Sequence, residues 1–436
     1  MAENVRRVAL ASVGCKTNQY EAIWLAGELR KRGMRIVEFD ERADAYVIFT
    51  CAVTQRAEAD SRKLIHRARR RNPDAFVVAT GCGVQLEPRA YLGKDGAHVA
   101  VGMNERERLA AIIEAGAVGQ AVELVDREKD VEFVPFGIDQ PELIPRSRAW
   151  LKIQEGCGAA CSYCVVPRLR GRPRSVPVER ILKEAEVLSE RFAEIVLVGT
   201  NIGQFGLDLQ PRIGLVALLR RLLELAERKG FRIRLSSIEP MEFDAELVEL
   251  ALAAPLCPHF HIPLQGTTDR VLSDMNRPYT AGEYAGLVES IRAKIPHASI
   301  GTDIISGFPT ESERDFEEGL KFFESLPVSY AHIFSYSPRP GTPAAELVRP
   351  LPASVVRKRT ARLKGVDAAK RASFAASQVG RKLELVVTRS SPGGSEGLSE
   401  NYLRVRFPQR AEPGSLVVVR AVSSEGPELK GELVDR

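Results

Sequence analysis

QEGCGAACSYCVVP, residues 154–167, brings Cys157, Cys161 and Cys164 into one short stretch directly after WLKIQ (150–154), a compact apolar run of the kind that forms a strand. Three thiolates this close can hold three corners of a cubane cluster, and soft sulfur ligands suit iron–sulfur clusters and zinc alike. A structural zinc site asks for a fourth ligand, commonly Cys or His. No histidine occurs between His98 and His259, and no fourth cysteine is near. Three ligands imply one iron with an open position, where a substrate or cofactor can coordinate.

Downstream of this stretch, strand-like runs recur at 194–199 (EIVLVG), 231–236 (FRIRLS), 259–264 (HFHIPL), 299–305 (SIGTDII) and 330–335 (YAHIFS). Helical patterns such as 178–190, 214–229 and 312–325 lie between them. Six β/α units of this size predict a partial (β/α)6 barrel. Upstream, 6–13 (RRVALASV), 45–50 (AYVIFT), 75–80 (AFVVAT) and 97–101 (AHVAV) alternate with helical stretches at about 18–32, 55–71 and 104–115. That alternation predicts an open parallel α/β sheet. Residues 116–146, with Pro135, Pro141 and Pro145, read as an extension leading into a linker. After a basic stretch at 355–372 come strand-like pieces separated by Gly, Pro and Ser, which predict a small all-β domain. The expected fold class is α/β, with domains at 1–130, 143–372 and 376–436.

A second, dispersed cysteine set acquires meaning from this layout. Cys15, Cys51 and Cys82 each fall one or two residues beyond a predicted strand. In a parallel sheet all three would emerge at the carboxyl edge, where such folds place their ligands. Cys257 fits neither set and reads as a packing residue. The total of seven cysteines is odd, which argues against a disulfide framework and for metal or catalysis.

Composition is that of a globular protein, 44% hydrophobic and 27% charged. No apolar run approaches the roughly 20 residues a membrane span needs. The N-terminus lacks the pattern of a signal peptide, so a cytoplasmic protein without a membrane partner is expected. The net charge of +5 permits a nucleic-acid partner without demanding one. Arginine and lysine concentrate at 55–72 and 357–371.

The Cys-x3-Cys-x2-Cys stretch, with Tyr163 before its last cysteine, resembles the radical S-adenosylmethionine (SAM) signature. Together with Cys15/Cys51/Cys82, GCKTNQYE (14–21) and the terminal β-domain, it makes the chain similar to the methylthiotransferases over nearly its whole length. Other segments that resemble the family are CVVPRLRGRPRS (164–175), HFHIPLQG (259–266), GFPTE (307–311) and FSYSPRPGTPA (334–344). GCKTNQYE is most similar to the branch that acts on N6-threonylcarbamoyladenosine at tRNA position 37. The isopentenyladenosine branch usually reads GCQMN and the ribosomal-protein branch GCPKN; both remain as alternatives.

The resemblance implies two [4Fe-4S] clusters, one on Cys157, Cys161 and Cys164 and one on Cys15, Cys51 and Cys82. It implies SAM chelated at the first, sulfur held at the second, and radical attack on an adenine C–H bond that acid–base chemistry leaves inert. It also implies a terminal TRAM domain, a tRNA partner, a sulfur donor, and an electron donor such as flavodoxin or ferredoxin. For SAM contacts the candidates are Tyr163, then Gly199, Thr200 and Asn201 in VGTNIGQFG, Ser236, Ser237 and Glu239 in SSIEP, and Asp303 in TDIISGFP. For RNA they are Arg168, Arg170, Arg172 and Arg174, a loop suited to phosphate beside a splayed base. Tyr402 and Phe407 in EGLSENYLRVRF are candidates both for base stacking and for core packing.

Overall fold

The computed structural model describes residues 6–116, 122–126, 136–252, 255–347 and 350–435. Residues 117–121 and 127–135 of the expected linker lie outside the described residues.

The first sheet holds β1 (Arg7–Ser12), β2 (Arg35–Val37), β3 (Ala45–Thr50), β4 (Phe76–Gly81), β5 (Val99–Val101) and β6 (Val122–Leu124), in the order β2-β1-β3-β4-β5-β6. Every pairing is parallel. β3 and β4 are buried along their full length. Helices cover both faces of a parallel sheet, so its central strands are apolar throughout rather than alternating. Two separate cores, one around Val47 and Val78 and one around Tyr46 and Ile48, fill the two faces. The order reverses between β1 and β3, and a doubly wound sheet opens a crevice at such a switch point.

The second unit contains β7 (Ala149–Lys152), the short antiparallel pair β8 (Gln154–Glu155) and β9 (Arg174–Ser175), β10 (Glu194–Val198), β11 (Arg232–Leu235), β12 (His259–His261), β13 (Ser299–Ser306) and β14 (Tyr330–Ser335). Two parallel three-stranded sheets, β11-β10-β7 and β12-β13-β14, are joined by Cys257 N–H to Ile233 O (2.8 Å) and Ile238 N–H to His261 O (3.0 Å). The result is the expected six-stranded partial barrel. Its outward residues, among them Ile195, Leu197, Ile233, Phe260 and Ile300, pack under the helices. Its inward ones are polar: Glu194, Arg234, His259, His261, Asp303, Tyr330 and His332.

The helix Ala353–Ala376 packs along β14 and leads to a closed five-stranded barrel, β15 (Lys382–Ser391), β16 (Gly394–Ser399), β17 (Arg404–Phe407), β18 (Leu416–Glu425) and β19 (Glu428–Val434). This barrel seals the lower end of the larger one. Arg232 donates to Glu384 O and Leu398 O, and Arg234 to Ser399 O and Glu400 O. Tyr402 stacks on His259 with ring centroids 4.2 Å apart, and Phe407 lies in the small barrel's own core. Both aromatics are packing groups.

A buried ion cluster ties the first sheet domain to the large barrel. Glu21, from the helix Lys16–Lys31, and Glu155 of β8 are shared by Arg106, Lys152 and Arg170 at 2.8–3.1 Å, and all five are at most 2% exposed. Burial alone would raise the Glu21 carboxyl, but Arg170, Lys152 and Arg106 outweigh it and hold it down at about 2. Glu155 is likewise held well below the usual range. Breaking a buried pair from one side strands the remaining charge, at a cost of about 3–5 kcal/mol. Glu155→Gln is expected to lower unfolding stability by roughly that amount in urea titrations. Because both folded-state values lie below the unfolded one, the stabilisation is complete above pH ~4.3 and fades as pH falls toward 2. The variant should therefore flatten the acid limb of the stability curve.

Candidate active site

Cys15, Cys51 and Cys82 follow β1, β3 and β4, which are adjacent in the sheet, so parallel register alone delivers the three thiols to one edge. Asn18 fixes the strand ends by donating to Val13 O (3.0 Å) and Thr50 O (2.9 Å). Gly14 has φ +89°, and a Cβ there would stand 2.5 Å from the Cys51 sulfur, so only glycine lets Cys15 and Cys51 approach. Burial, with the neighbouring thiols adding to it, pushes Cys51 up to about 12 and raises Cys82.

The second triad hangs from the end of β8. Gly156, at φ +81°, brings backbone so close to Arg172 O that a Cβ would sit 1.9 Å from it. The loop is pinned by Cys157 N–H to Gly171 O (3.1 Å), Ser162 N–H to Met275 O (3.0 Å) and Ser162 Oγ to Asp274 O (2.8 Å). Burial raises Cys157 and pushes Cys164 up to about 12.

Each triad receives a guanidinium. Arg170 Nε donates to the Cys82 sulfur at 3.2 Å, and Arg277 Nη1 to the Cys161 sulfur at 3.0 Å. Donor spacing separates the metals these thiols could take. Sulfurs bound tetrahedrally to one zinc at 2.3 Å stand about 3.8 Å apart. Among the described residues only His261, Asp303 and His332 form a His/Cys/Asp/Glu group of three with all ligand atoms within 4.8 Å. Neither cysteine triad closes to within 4.8 Å, wider than one tetrahedral ion holds its sulfurs. The all-sulfur donor set, free of disulfides, fits an iron–sulfur cluster. In the histidine group, His261 already meets Asp303 through Nε2 (3.0 Å) and Tyr330 OH through Nδ1 (3.2 Å).

Several of the residues expected to contact SAM lie close to the second triad or line the cavity beside it. Thr200 Oγ1 accepts from Gly156 N–H (3.2 Å), Asn201 bonds Glu242 (2.9 Å) and reaches Cys157, and Gly199 lies against the Gln154 backbone. Glu239 is ion-paired with Arg277, and Ser236 and Ser237 follow directly on β11 in the chain. Tyr163 and Asp303 line a cavity of about 240 Å³ with Cys164, Gln265, Phe334, Tyr336 and Arg339, and with Val53 and Thr54 just beyond Cys51. This cavity therefore touches both cysteine neighbourhoods. A larger one, about 760 Å³, lies at the junction of the two barrels and is lined by none of the six cysteines.

Arg277, Gln265 and Arg339 were not among the sequence candidates. Arg277 lies in MNRPYT, just past HFHIPLQG, and the strand-end logic that found the cysteines would have reached this rim too. One RNA candidate needs correction. Arg170 is 2% exposed and spends its donors on Glu21, Glu155, Asn18 and Cys82, so it cannot contact phosphate. Arg168 and Arg172 are the exposed members of the loop; Arg168 donates to Gly341 O (2.8 Å), and the half-buried Arg174 donates to Arg170 O.

The barrel, its three-thiol loop and the polar groups around that loop define a radical SAM enzyme. The Radical SAM superfamily model matches residues 151–323, and the model described as "Uncharacterized protein family UPF0004" matches residues 7–102. The radical SAM methyltransferase TsrM of Kitasatospora setae, with cobalamin and a [4Fe-4S] cluster bound, shares the fold at a TM-score of 0.56 and 18% identity, over 78% of this chain and 77% of that one. Among curated relatives, the threonylcarbamoyladenosine tRNA methylthiotransferase MtaB of Aquifex aeolicus is 38% identical over 95% of this chain and 99% of its own length. The Bacillus subtilis protein of that name is 33% identical over 98% and 96%. The tRNA-2-methylthio-N(6)-dimethylallyladenosine synthase of Erythrobacter litoralis is 33% identical over 97% and 96%. The chain belongs to the radical SAM methylthiotransferase family.

A cation that hydrogen-bonds a ligand sulfur stabilises the reduced, more negative cluster. Arg277→Gln should accordingly shift the midpoint potential of a cluster held by Cys157, Cys161 and Cys164 to more negative values at unchanged iron content. Redox titration followed by electron paramagnetic resonance measures the shift, and an unchanged midpoint would detach Arg277 from the cluster.

Proposed function

We propose that this chain is a tRNA methylthiotransferase that converts N6-threonylcarbamoyladenosine at position 37 to its 2-methylthio derivative. Cys157, Cys161 and Cys164 would hold one [4Fe-4S] cluster, and Cys15, Cys51 and Cys82 a second. The observation that carries the reading is that the two three-thiol sets meet at one domain junction: Cys164 lines a cavity with Val53 and Thr54, just beyond Cys51, and Cys82 packs on Val165 and Leu169. Between them runs only a thin apolar seam of Ala52, Cys82, Met103, Val165 and Leu169. The Aquifex, Bacillus and Thermotoga relatives carry the matching name.

A cluster with an open iron supplies, when bound, the reductive cleavage of SAM that an inert adenine C2–H bond requires. The protein's own contributions are positional. Glu239 and Arg277 present a carboxylate and a guanidinium side by side at the Cys161 sulfur, complementary to the α-amino and α-carboxyl groups of a methionine moiety. Asn201, Thr200 and Gly199 support the opposite side of the loop, and Tyr163 with Asp303 shapes the cavity wall. The apolar seam and the small, largely apolar cavity keep bulk water from a reactive intermediate.

For tRNA, exposed cations of the loop and the two basic runs that make no ion pair among the described residues include Arg168, Arg172, Arg70, Arg357, Lys358 and Lys364. Much of the 357–371 run is internal instead: Arg359 pairs with Glu311, Arg362 with Glu317 and Arg371 with Asp367. Units at 1–130, 143–372 and 376–436, a flavodoxin or ferredoxin as electron donor, and a separate sulfur donor complete the proposal. The polar lining of the large barrel favours the threonylcarbamoyl substituent over the apolar isopentenyl one, because an apolar group would leave buried donors unpaired.

Anaerobic reconstitution should give about eight irons per chain, the sum of two cubanes. Replacing Cys157, Cys161 and Cys164 together by alanine should halve the iron and abolish SAM cleavage. Replacing Cys15, Cys51 and Cys82 should halve the iron while 5′-deoxyadenosine still forms. Full iron retention in the second variant would refute the two-cluster assignment. Mass spectrometry of anticodon stem-loops carrying either modification decides the substrate: methylthiolation of the isopentenyl form alone would place the chain in the other branch.

A further inference from the structure

Three neighbouring strands of the large barrel carry a set of nitrogen and oxygen donors that the cysteine sites do not use. β12, β13 and β14 pair in parallel, with His261 opposite Gly301 and Asp303 opposite His332. That register brings His261, Asp303 and His332 onto one inward face, with their ligand atoms all within 4.8 Å of one another. The His261 and His332 ring centroids stand 5.3 Å apart, and His261 Nε2 lies 3.0 Å from Asp303 Oδ1. Two perpendicular bonds of about 2.1 Å to one ion put their donors about 3.0 Å apart. An ion can therefore replace the proton that His261 and Asp303 share.

The surroundings suit ligands. Glu194, the other inward carboxylate, is surrounded by Arg148, Arg232 and Arg234, whereas the Asp303 carboxylate has His261 as its one partner among the described residues. His332 makes ring contacts with His261, Tyr330 and Phe334 and no hydrogen bond among the described residues. Burial and the neighbouring His261 lower its pKa, which keeps the imidazole neutral, the form that ligates. Ligating histidines are held in orientation through their second nitrogen. Here Tyr330 OH lies 3.2 Å from His261 Nδ1 and 2.8 Å from His259 Nε2. Gly301 makes that support possible, because a Cβ there would collide with the Tyr330 ring.

We infer that His261, Asp303 and His332 bind one divalent first-row transition-metal ion, whose remaining positions take oxygen donors of the substrate's N6 substituent. Two imidazoles and a carboxylate suit such an ion and leave positions open on it. The inference rests on the substrate reading proposed above: a threonylcarbamoyl group offers carboxylate, hydroxyl and carbamoyl oxygens, and an isopentenyl group offers none. The spacing agrees. Asp303 and Phe334 line the cavity beside Cys164, and His332 precedes Phe334 by two residues, about 6.7 Å along a strand. A carbamoyl-linked threonine reaches about 7 Å from the base, the length of two extended residues. With the adenine in that cavity, its substituent meets the two histidines and Asp303.

The test uses reconstituted, oxidised holoenzyme freed of loose metal by a chelator and gel filtration, with Mn²⁺ as the probe. Oxidised [4Fe-4S] clusters give no paramagnetic signal, so electron paramagnetic resonance reads free Mn²⁺ directly. Wild type should bind one Mn²⁺ per chain, and His332→Ala, matched for iron, should bind it at least tenfold more weakly. Equal binding by the two would overturn the site. On threonylcarbamoyl anticodon stem-loops, saturating Mn²⁺ should lower the KM of wild type at least tenfold and leave that of His332→Ala unchanged. A KM that Mn²⁺ lowers equally in both, or in neither, would overturn the ion's role in reading the substituent. Failure of the substrate reading looks different: wild type would then methylthiolate the isopentenyl stem-loop alone, whatever the RNA-free protein binds.

Discussion

Five charged side chains with almost no access to water hold this molecule in its working shape. Glu21 and Glu155 stand among Arg106, Lys152 and Arg170 where the open sheet meets the large barrel. Three cations against two carboxylates leave one positive charge over, and Arg170 directs it at the Cys82 sulfur. The cluster binds the two domains and at the same time supplies a counter-charge to a thiolate site. Buried charges are costly to assemble and offer little net stability over apolar packing. What this set supplies is register: Arg170 sits six residues after Cys164, so fixing its guanidinium on Glu21 and Asn18 fixes the cysteine loop against the sheet edge. The two thiol triads come to one domain junction because this contact fixes the loop on the sheet edge.

The same logic of shared carboxylates recurs at the barrel's other end. Glu194 gathers Arg148, Arg232 and Arg234, whose remaining donors grip backbone carbonyls of the small β-barrel. Tyr402, at φ +70°, inserts its ring against His259 beneath the lumen. The small barrel is therefore also the floor of the larger one, whatever it contributes to RNA binding. The lumen that results is polar and positive below, and opens above to the thiol rim.

The sequence was legible wherever a period governs structure. All six barrel strands lie where alternating β/α signals put them, and β1, β3, β4 and β5 do as well. β2 and β6 are only three residues long, and β16 reads GSEGLS, with too little β-branched character to announce a strand. The gathering of Cys15, Cys51 and Cys82 was legible because a parallel sheet sends every strand end to the same edge. The fate of the arginines was not. Whether a guanidinium faces RNA or a carboxylate depends on partners distant in sequence: Arg170 meets Glu21 across 149 residues, and Arg359 meets Glu311 across 48. Local charge density carries no information about that pairing.

The central claim, that two thiol triads meet at one domain junction and each carries a cluster, is tested most directly by anomalous diffraction at the iron edge from anaerobically grown crystals of the reconstituted protein. The account predicts two iron peaks, one bounded by Cys15, Cys51 and Cys82 and one by Cys157, Cys161 and Cys164, with the cavity lined by Cys164, Asp303 and Phe334 between them. A single peak at the barrel loop, with the N-terminal cysteines free of metal, would contradict it.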